Sequence, residues 1–466
     1  MSAAVGVAGR TPVAAPGGLS ARRVADAAIA GLVFLGGFVM VEPAPYDLAL
    51  VAAVGVWAIL GLKLSRHFMP LAILLLVYAA GGFLSLTQVD APLGRPFVYM
   101  LTDLFLVVSA VFIAAVIVEN PERRLALIAR AYLVAAAVVA VIGILAYFDT
   151  IPYADAFKLY DRAKGTFKDP NVFGPFLVLP LTILGRDILT RRLRRSVPEI
   201  ALFFVILFAI FLSFSRAAWG MALVALLLVA CLAYITERSP LARFRLTTYL
   251  VGGAIAVALM FAAAINVPAV RDLYDQRAFL VQEYDAAPTG RFERQQLGFF
   301  LIQEKPLGLG PFEFGTRYGE DEHNTWLKAF TTYGWLGGFS YAILAIWTLV
   351  AATPLLFKPR PWQPVIQCTY AVFVGHLLVH SVIDTNHWRH LFLIYGMLWG
   401  AIAAEKIRQR RERQLAAAGP AEAKPASGGS GSAAILWAGE VVPRARISPV
   451  PRARPKSAAE SALQVR

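Results

Sequence analysis

Apolar residues along this chain gather into long runs separated by short polar stretches. The runs predict about twelve membrane-spanning helices. They lie at 25–41, 46–62, 69–86, 101–118, 126–148, 171–189, 198–214, 216–236, 247–266, 325–353, 365–383 and 390–405. The first run follows Arg22 and Arg23 as a signal peptide would. No small-residue cleavage site follows it, and Glu42-Pro43-Ala44-Pro45 leads straight into the next run, so it is read as a retained helix. The predicted fold class is all-α, a polytopic membrane protein with one long polar loop, residues 267–324, after the ninth helix.

Composition sets the solvent. Hydrophobic residues make up 58% and charged residues 16%, with a mean hydropathy of +0.61. A soluble chain of 466 residues cannot hide that much apolar surface. Cys231 and Cys368 sit in apolar runs without pairing or metal spacing and read as core residues. The formal charge of +14 lies mostly in short loops and the C-terminal tail, which does not suggest nucleic acid.

Lys and Arg set the orientation. Alternate loops carry Lys63 and Arg66; Arg123 and Arg124; Arg186, Arg191, Arg192, Arg194 and Arg195; Arg238, Arg243 and Arg245; Lys358 and Arg360; and Lys406 through Arg413. These loops and both termini are predicted to be cytoplasmic. In the opposite set, 42–46 has no Lys or Arg and 87–100 only Arg95. Loop 267–324 therefore faces outward, into the periplasm of a Gram-negative cell. Three regions follow: a disordered cytoplasmic segment 1–24, a membrane domain 25–405, and a basic, largely disordered cytoplasmic tail 406–466. In the tail, Val442-Pro443-Arg444-Ala445-Arg446 recurs as Val450-Pro451-Arg452-Ala453-Arg454. The repeats read either as a contact for anionic lipids or an acidic partner, or as a solvated tail.

Basic residues on the outward side run against this bias. Loop 149–170 holds Lys158, Arg162, Lys164 and Lys168; Arg216 sits in the turn Ser213-Phe214-Ser215-Arg216; the long loop adds Arg291. One explanation is an anionic ligand at the membrane boundary, because a guanidinium fork binds two phosphate oxygens at once. The other is snorkelling, or pairing with Asp155, Asp161, Asp169 or Glu293.

The long loop ends on Asp321-Glu322-His323-Asn324, nine residues before Gly334, with Gly337 and Gly338 beyond. An imidazole at the mouth of a membrane helix can take a proton from a hydroxyl near neutral pH; the plainer reading is a loop histidine bonded to its neighbours. A rival constellation is His376, His380 and Asp384, spaced as one stripe of the eleventh span. It reads as a transition-metal site or, better, as polar packing near the outer end of that helix, because ligands two turns apart on a straight helix do not meet one ion.

Four segments resemble the O-antigen ligase and polymerase superfamily of bacterial inner-membrane glycosyltransferases. Gly165-Thr166-Phe167-Lys168-Asp169-Pro170-Asn171 is similar to its Gly-Thr-Phe-x-x-Pro-Asn segment. Ser213-Phe214-Ser215-Arg216 is similar to its Ser-Arg turn. Gly290-Arg291 with Pro306-Leu307-Gly308-Leu309-Gly310 resembles its long-loop pattern, and His323-Asn324 with Gly334 and Gly337 its histidine motif. The resemblance covers about 25–405 and implies a GT-C-like helical architecture. It further implies transfer of a glycan from undecaprenyl pyrophosphate to an acceptor hydroxyl at the outer face of the inner membrane. The acceptor is a second glycan or a lipid A-core, and the reaction uses no cofactor or metal and inverts the anomeric centre. In that chemistry His323 is the base. Arg216 and Arg291 neutralise the pyrophosphate, with Arg162, Lys164 and Lys168 secondary. Asp321 or Glu322 orients the ring, and Asn324 and Asn171 support the site. The glycines pack helices. A repeat-unit polymerase of the same superfamily is the alternative acceptor choice. A lipid or polysaccharide transporter is the alternative of another class, and it calls for internal repeats that this sequence does not display.

Overall fold

The computed structural model describes residues 16–191, 193, 196–277 and 290–417. The expectations for 1–15, for the tail beyond 417, for Arg192, Arg194 and Arg195, and for 278–289 of the long loop lie outside the described residues.

Among the described residues the chain is all-α apart from one small hairpin. The first five helices are α1 (Pro16–Leu35), α2 (Pro45–Leu60), α3 (Met69–Ser85), α4 (Gly94–Glu119) and α5 (Pro121–Tyr147). Strands β1 (Lys158–Leu159) and β2 (Arg162–Ala163) pair antiparallel. Then come α6 (Pro170–Phe176), α7 (Val178–Thr190), α8 (Val197–Leu212), α9 (Arg216–Thr236), α10 (Pro240–Ile265) and α11 (Pro268–Arg277). The remainder is α12 (Arg291–Glu304), α13 (Glu313–Tyr318), α14 (Thr325–Thr331), α15 (Gly334–Ala352), α16 (Gln363–Val379) and α17 (Arg389–Ala417).

Local chemistry sets many of the starts. Proline occupies the first turn of α2, α5, α6, α8, α10 and α16, where its missing N–H costs nothing. Asn120, Asp169, Ser215, Ser239 and Asn324 accept from backbone N–H groups of the helices they precede. Among the described residues, seven helical segments are long and apolar enough to cross a membrane, and 45–59, 197–212 and 363–379 are shorter apolar helices. The chain is a multi-pass membrane protein.

Two expected spans are not single straight helices, although the first remains one candidate span over 170–190. The run 171–189 divides between α6 and α7, with Pro175 inside α6 unable to donate a backbone hydrogen bond. The run 325–353 divides because Gly334 takes a left-handed φ of 66°, which stops α14 before α15 starts. Among the described residues, the expected loop 267–324 carries three helices of its own. The stripe of His376, His380 and Asp384 is also broken: α16 ends at Val379, so Asp384 belongs to the following turn rather than to the helix.

Helix contacts are close where side chains are small. In α3, a Cβ on Gly81 would lie 2.6 Å from the Tyr333 carbonyl oxygen and 2.7 Å from the Gly337 nitrogen of α15. In α17, Gly396 sits as close to the Ala110 carbonyl of α4. Every residue from His390 to Glu405 in α17 is buried, so this helix is the bundle's central post. α10 is the opposite case, with Leu246 and Ala264 its two buried residues. An apolar helix so exposed is stable only in lipid.

Candidate functional site

The β1–β2 hairpin delivers Arg162. Its Nε donates to the Ser213 carbonyl at 2.8 Å and its Nη2 to Asn171 Oδ1 at 2.9 Å. Asn171 stands at the start of α6, and its backbone N–H donates to the capping Asp169 carboxylate at 2.6 Å. Gly165, with a φ of 53°, leaves room for Phe173 of the same helix, whose ring a Cβ there would meet at 2.8 Å. The Gly-Thr-Phe segment is thus the backbone turn that seats α6 and presents Asn171. Ser213 belongs to the turn before Arg216, and Phe214 there has a φ of 45°. Arg162 therefore joins two motifs that stand 42 residues or more apart in the sequence.

Arg291 is the first residue of α12. His323 reaches the same region from the other side, with a left-handed φ of 46° that a bulky residue rarely adopts. Its chain is pinned by the turn after α16. The Thr325 N–H donates to the His380 carbonyl at 2.7 Å, and Asn324 Nδ2 to the Ser381 carbonyl at 3.2 Å. Thr325 Oγ1 donates to the Ile383 carbonyl at 2.7 Å and accepts from the Thr385 N–H at 2.8 Å. These bonds bring Asp384 beside the imidazole, with Oδ2 3.8 Å from Nδ1. Lys328 bridges Asp384 at 3.3 Å and Asp321 at 2.7 Å. Burial pulls the Lys328 ammonium down, but Asp384, Tyr99, Asp321 and Glu322 outweigh it and hold the group well above its ordinary range.

A cavity of about 390 Å³ opens between these elements. Arg162, Asn171, Arg291 and His323 all line it, with Asp169, Glu320, Leu159 and Tyr160 completing the wall. Glu320 bonds Arg294, which holds its carboxyl below the usual range. The site can therefore offer two guanidinium groups to an anion and an imidazole to a proton.

The other expected residues fall elsewhere. Arg216, half-buried at the head of α9, and half-buried Lys164 do not line the cavity. Lys168 pairs with Glu42 at 2.8 Å, and Lys158 with Asp149 at 2.5 Å and Asp155 at 3.1 Å. Asn324 caps α14. Asp321 bonds Lys328, and Glu322 turns inward to Thr331. Burial pushes the Glu322 carboxyl up to about 7. Neither acidic neighbour in sequence is the carboxylate beside the His323 ring; that is Asp384. His376, His380 and His390 form a separate buried cluster, with the His376 and His390 ring centres 5.2 Å apart. Among the described residues no group of three or more His, Cys, Asp or Glu is placed to hold a metal ion.

The glycines of the histidine motif serve the backbone. Gly334 lets the Pro306-Leu307-Gly308 turn lie directly on the α14–α15 break: a Cβ there would be 2.6 Å from the Pro306 carbonyl oxygen. The Trp335 N–H donates to that same oxygen at 2.8 Å, and the Leu309 N–H to the Thr331 carbonyl at 2.6 Å. His323 is thus held on a rigid support built from two glycine turns.

Residues 201–342, from α8 into α15, match the family model described as O-antigen ligase. Over this stretch the chain is similar to the O-antigen ligase and polymerase superfamily. No curated protein matches it. The members of this superfamily are membrane glycosyltransferase-type enzymes. The matched stretch contains Arg216, Arg291 and His323, whereas Arg162, Asn171 and Asp384 lie outside it and join the site through the fold. Asp384 was hidden in the sequence behind its apparent membership of a histidine stripe. Tyr160 and Glu320 carried no signal beyond their place in polar segments between apolar runs.

Proposed function

We propose that the cavity receives the pyrophosphate of an undecaprenyl-pyrophosphate-linked glycan and that His323 activates the acceptor which displaces it. The observation that carries this reading is the convergence of Arg162, Arg291, Asn171 and His323, from four separate segments, on one cavity. The acceptor hydroxyl attacks the anomeric carbon. Its proton passes to His323, on the nitrogen away from Asp384. The new C–O bond forms as the bond to pyrophosphate breaks, and the leaving oxygen keeps the electron pair. Arg162 and Arg291 neutralise that charge where it develops. Arg216 supports them from the head of α9, and Asp384 holds the ring for the protonated state. A single displacement inverts the anomeric centre.

The charge alternation supports an active site on the periplasmic side of the inner membrane, with both termini cytoplasmic. The acceptor is a lipid A-core on the ligase reading, or another glycan on the polymerase reading. The His-Asn-x9-Gly-x-x-Gly spacing favours the ligase. The test is transfer by the purified protein from a lipid-pyrophosphate glycan, with a chelator expected to leave the rate unchanged. Deletion in the cell then separates the two acceptors. Accumulated long lipid-linked chains mean a missing ligase, and accumulated single repeat units a missing polymerase. A strain with an unaltered glycan profile and a purified protein without transfer would refute both.

A further inference from the structure

The β1–β2 hairpin turns on Tyr160 and Asp161, between the paired residues Leu159 and Arg162. Both turn residues have positive φ, 52° and 57°. That is the pattern of a type I′ turn, which asparagine and glycine normally fill. Aspartate tolerates the left-handed region because its short polar side chain bonds locally. Tyrosine gains nothing there, and its bulk opposes it. The strain is not offset by burial, since Tyr160 is 75% exposed. Strained residues of this kind persist where the surroundings hold them and a site makes use of them.

The surroundings here are a cavity wall. Tyr160 lines the same space as Arg162, Arg291 and His323. Arg162 is anchored to Ser213 and Asn171, and the ladder fixes it opposite Leu159. Lys158 ties the base of the hairpin to Asp149 and Asp155. The hairpin therefore carries a cation and an exposed aromatic ring into one cavity as a single rigid piece.

We propose that Tyr160 is a stacking platform for a pyranose ring of the glycan, beside the pyrophosphate position. This deepens the function proposed above and rests on it. One face of a pyranose is a patch of C–H groups with slightly positive character, while its equatorial hydroxyls point sideways. The face of a tyrosine ring is electron-rich and apolar. Stacking the two covers the C–H patch and leaves the hydroxyls in water, so no polar group is buried unpaired. The ring comes from the donor, whose first sugar is bonded to the pyrophosphate, or from the acceptor sugar that must approach the same carbon.

Binding of two probes to the purified full-length protein tests this. One is bare undecaprenyl pyrophosphate. The other is the lipid-linked glycan extracted from membranes of cells that lack this protein. Tyr160→Gly suits the left-handed turn, so the hairpin is kept. The expected result is about tenfold weaker binding of the glycan-bearing lipid with the bare lipid unchanged. Tyr160→Phe and Tyr160→Trp should keep wild-type affinity, and Tyr160→Leu should lose it. A rise confined to the acceptor KM keeps the platform and assigns it to the acceptor ring. Tyr153 is 88% exposed with a φ of 57° but does not line the cavity. Tyr153→Gly should therefore change nothing. The proposal is overturned if Tyr160→Gly leaves both lipids and both KM values unchanged, or weakens both lipids equally. It also fails if leucine serves as well as phenylalanine, or if Tyr153→Gly has the same effect, since either outcome means contact with lipid. If wild type binds neither lipid, the proposed function itself falls and the platform with it.

Discussion

Two sets among the six histidines of this protein have surroundings that differ in every respect that matters for chemistry. His323 borders an open cavity, on a strained backbone, with Asp384 beside its ring and two arginines on the same wall. His376, His380 and His390 are buried among Trp388, Trp326, Tyr341 and Phe176. Neither ring nitrogen of His376 or His380 has a hydrogen-bond partner among the described residues. Both groups stand out in the sequence as ionisable residues in an apolar chain. Access to the cavity and a partner carboxylate separate them, and spacing along the chain shows neither.

The largest effect that can break the comparison is at His323. His323→Ala should cut transfer by roughly two to four orders of magnitude, with donor binding and thermal stability near wild type. Near-normal turnover sinks the base assignment, and lost donor binding in a folded protein makes His323 a phosphate ligand instead. Next come Arg162→Ala and Arg291→Ala, each expected to lower the rate by about a hundredfold. Lysine should rescue only in part, since an ammonium lacks the two-pronged geometry; full rescue would mean that charge alone suffices. Glu322→Gln probes a sealed carboxyl beside His323 in the chain. Burial raises the folded-state value from 4.5 to about 7, so ionisation disfavours the folded state. The carboxyl's contribution to stability is whole below about pH 4.5 and lost as pH rises through 7. The glutamine variant should therefore gain in melting temperature relative to wild type between pH 5 and 8, roughly, and a constant difference would remove the argument. The smallest effect belongs to the sealed cluster. His376→Leu replaces a ring without protein hydrogen bonds by an apolar side chain of similar size, so activity should stay within about twofold and stability within about 1 kcal/mol. A large loss of transfer there would end the contrast between the two regions.

How much of this was legible varies by element. The apolar run 216–236 matches α9 because nothing interrupts it and Ser215 caps its start. The run 325–353 hid a break, because Gly334 is as easily read inside a helix as between two. Its left-handed backbone is imposed by the Pro306 turn from another part of the chain. Arg291 and His323 were legible as polar residues out of place on the side that the charge alternation predicts to face outward, and both line the cavity. Arg162 ranked low in sequence yet lines the cavity, because its hydrogen bonds to Ser213 and Asn171 go to segments that only folding brings near. Lys168 ranked equally but finds Glu42.

By itself, the sequence determined the solvent, the approximate helices and the chemical types available in the polar segments between them. These follow from how long the apolar runs are and where charges interrupt them, and lipid reads both locally. The tertiary structure decided which charges meet. It drew Asp384 out of the histidine stripe by ending α16 at Val379, and the bonds between Asn324, Thr325 and the turn 380–385 then set it beside His323. It turned Glu322 inward and put Tyr160 on the cavity wall. Side-chain partners across a helical bundle depend on helix ends and backbone turns fixed by distant contacts, and those are not written at the positions they control.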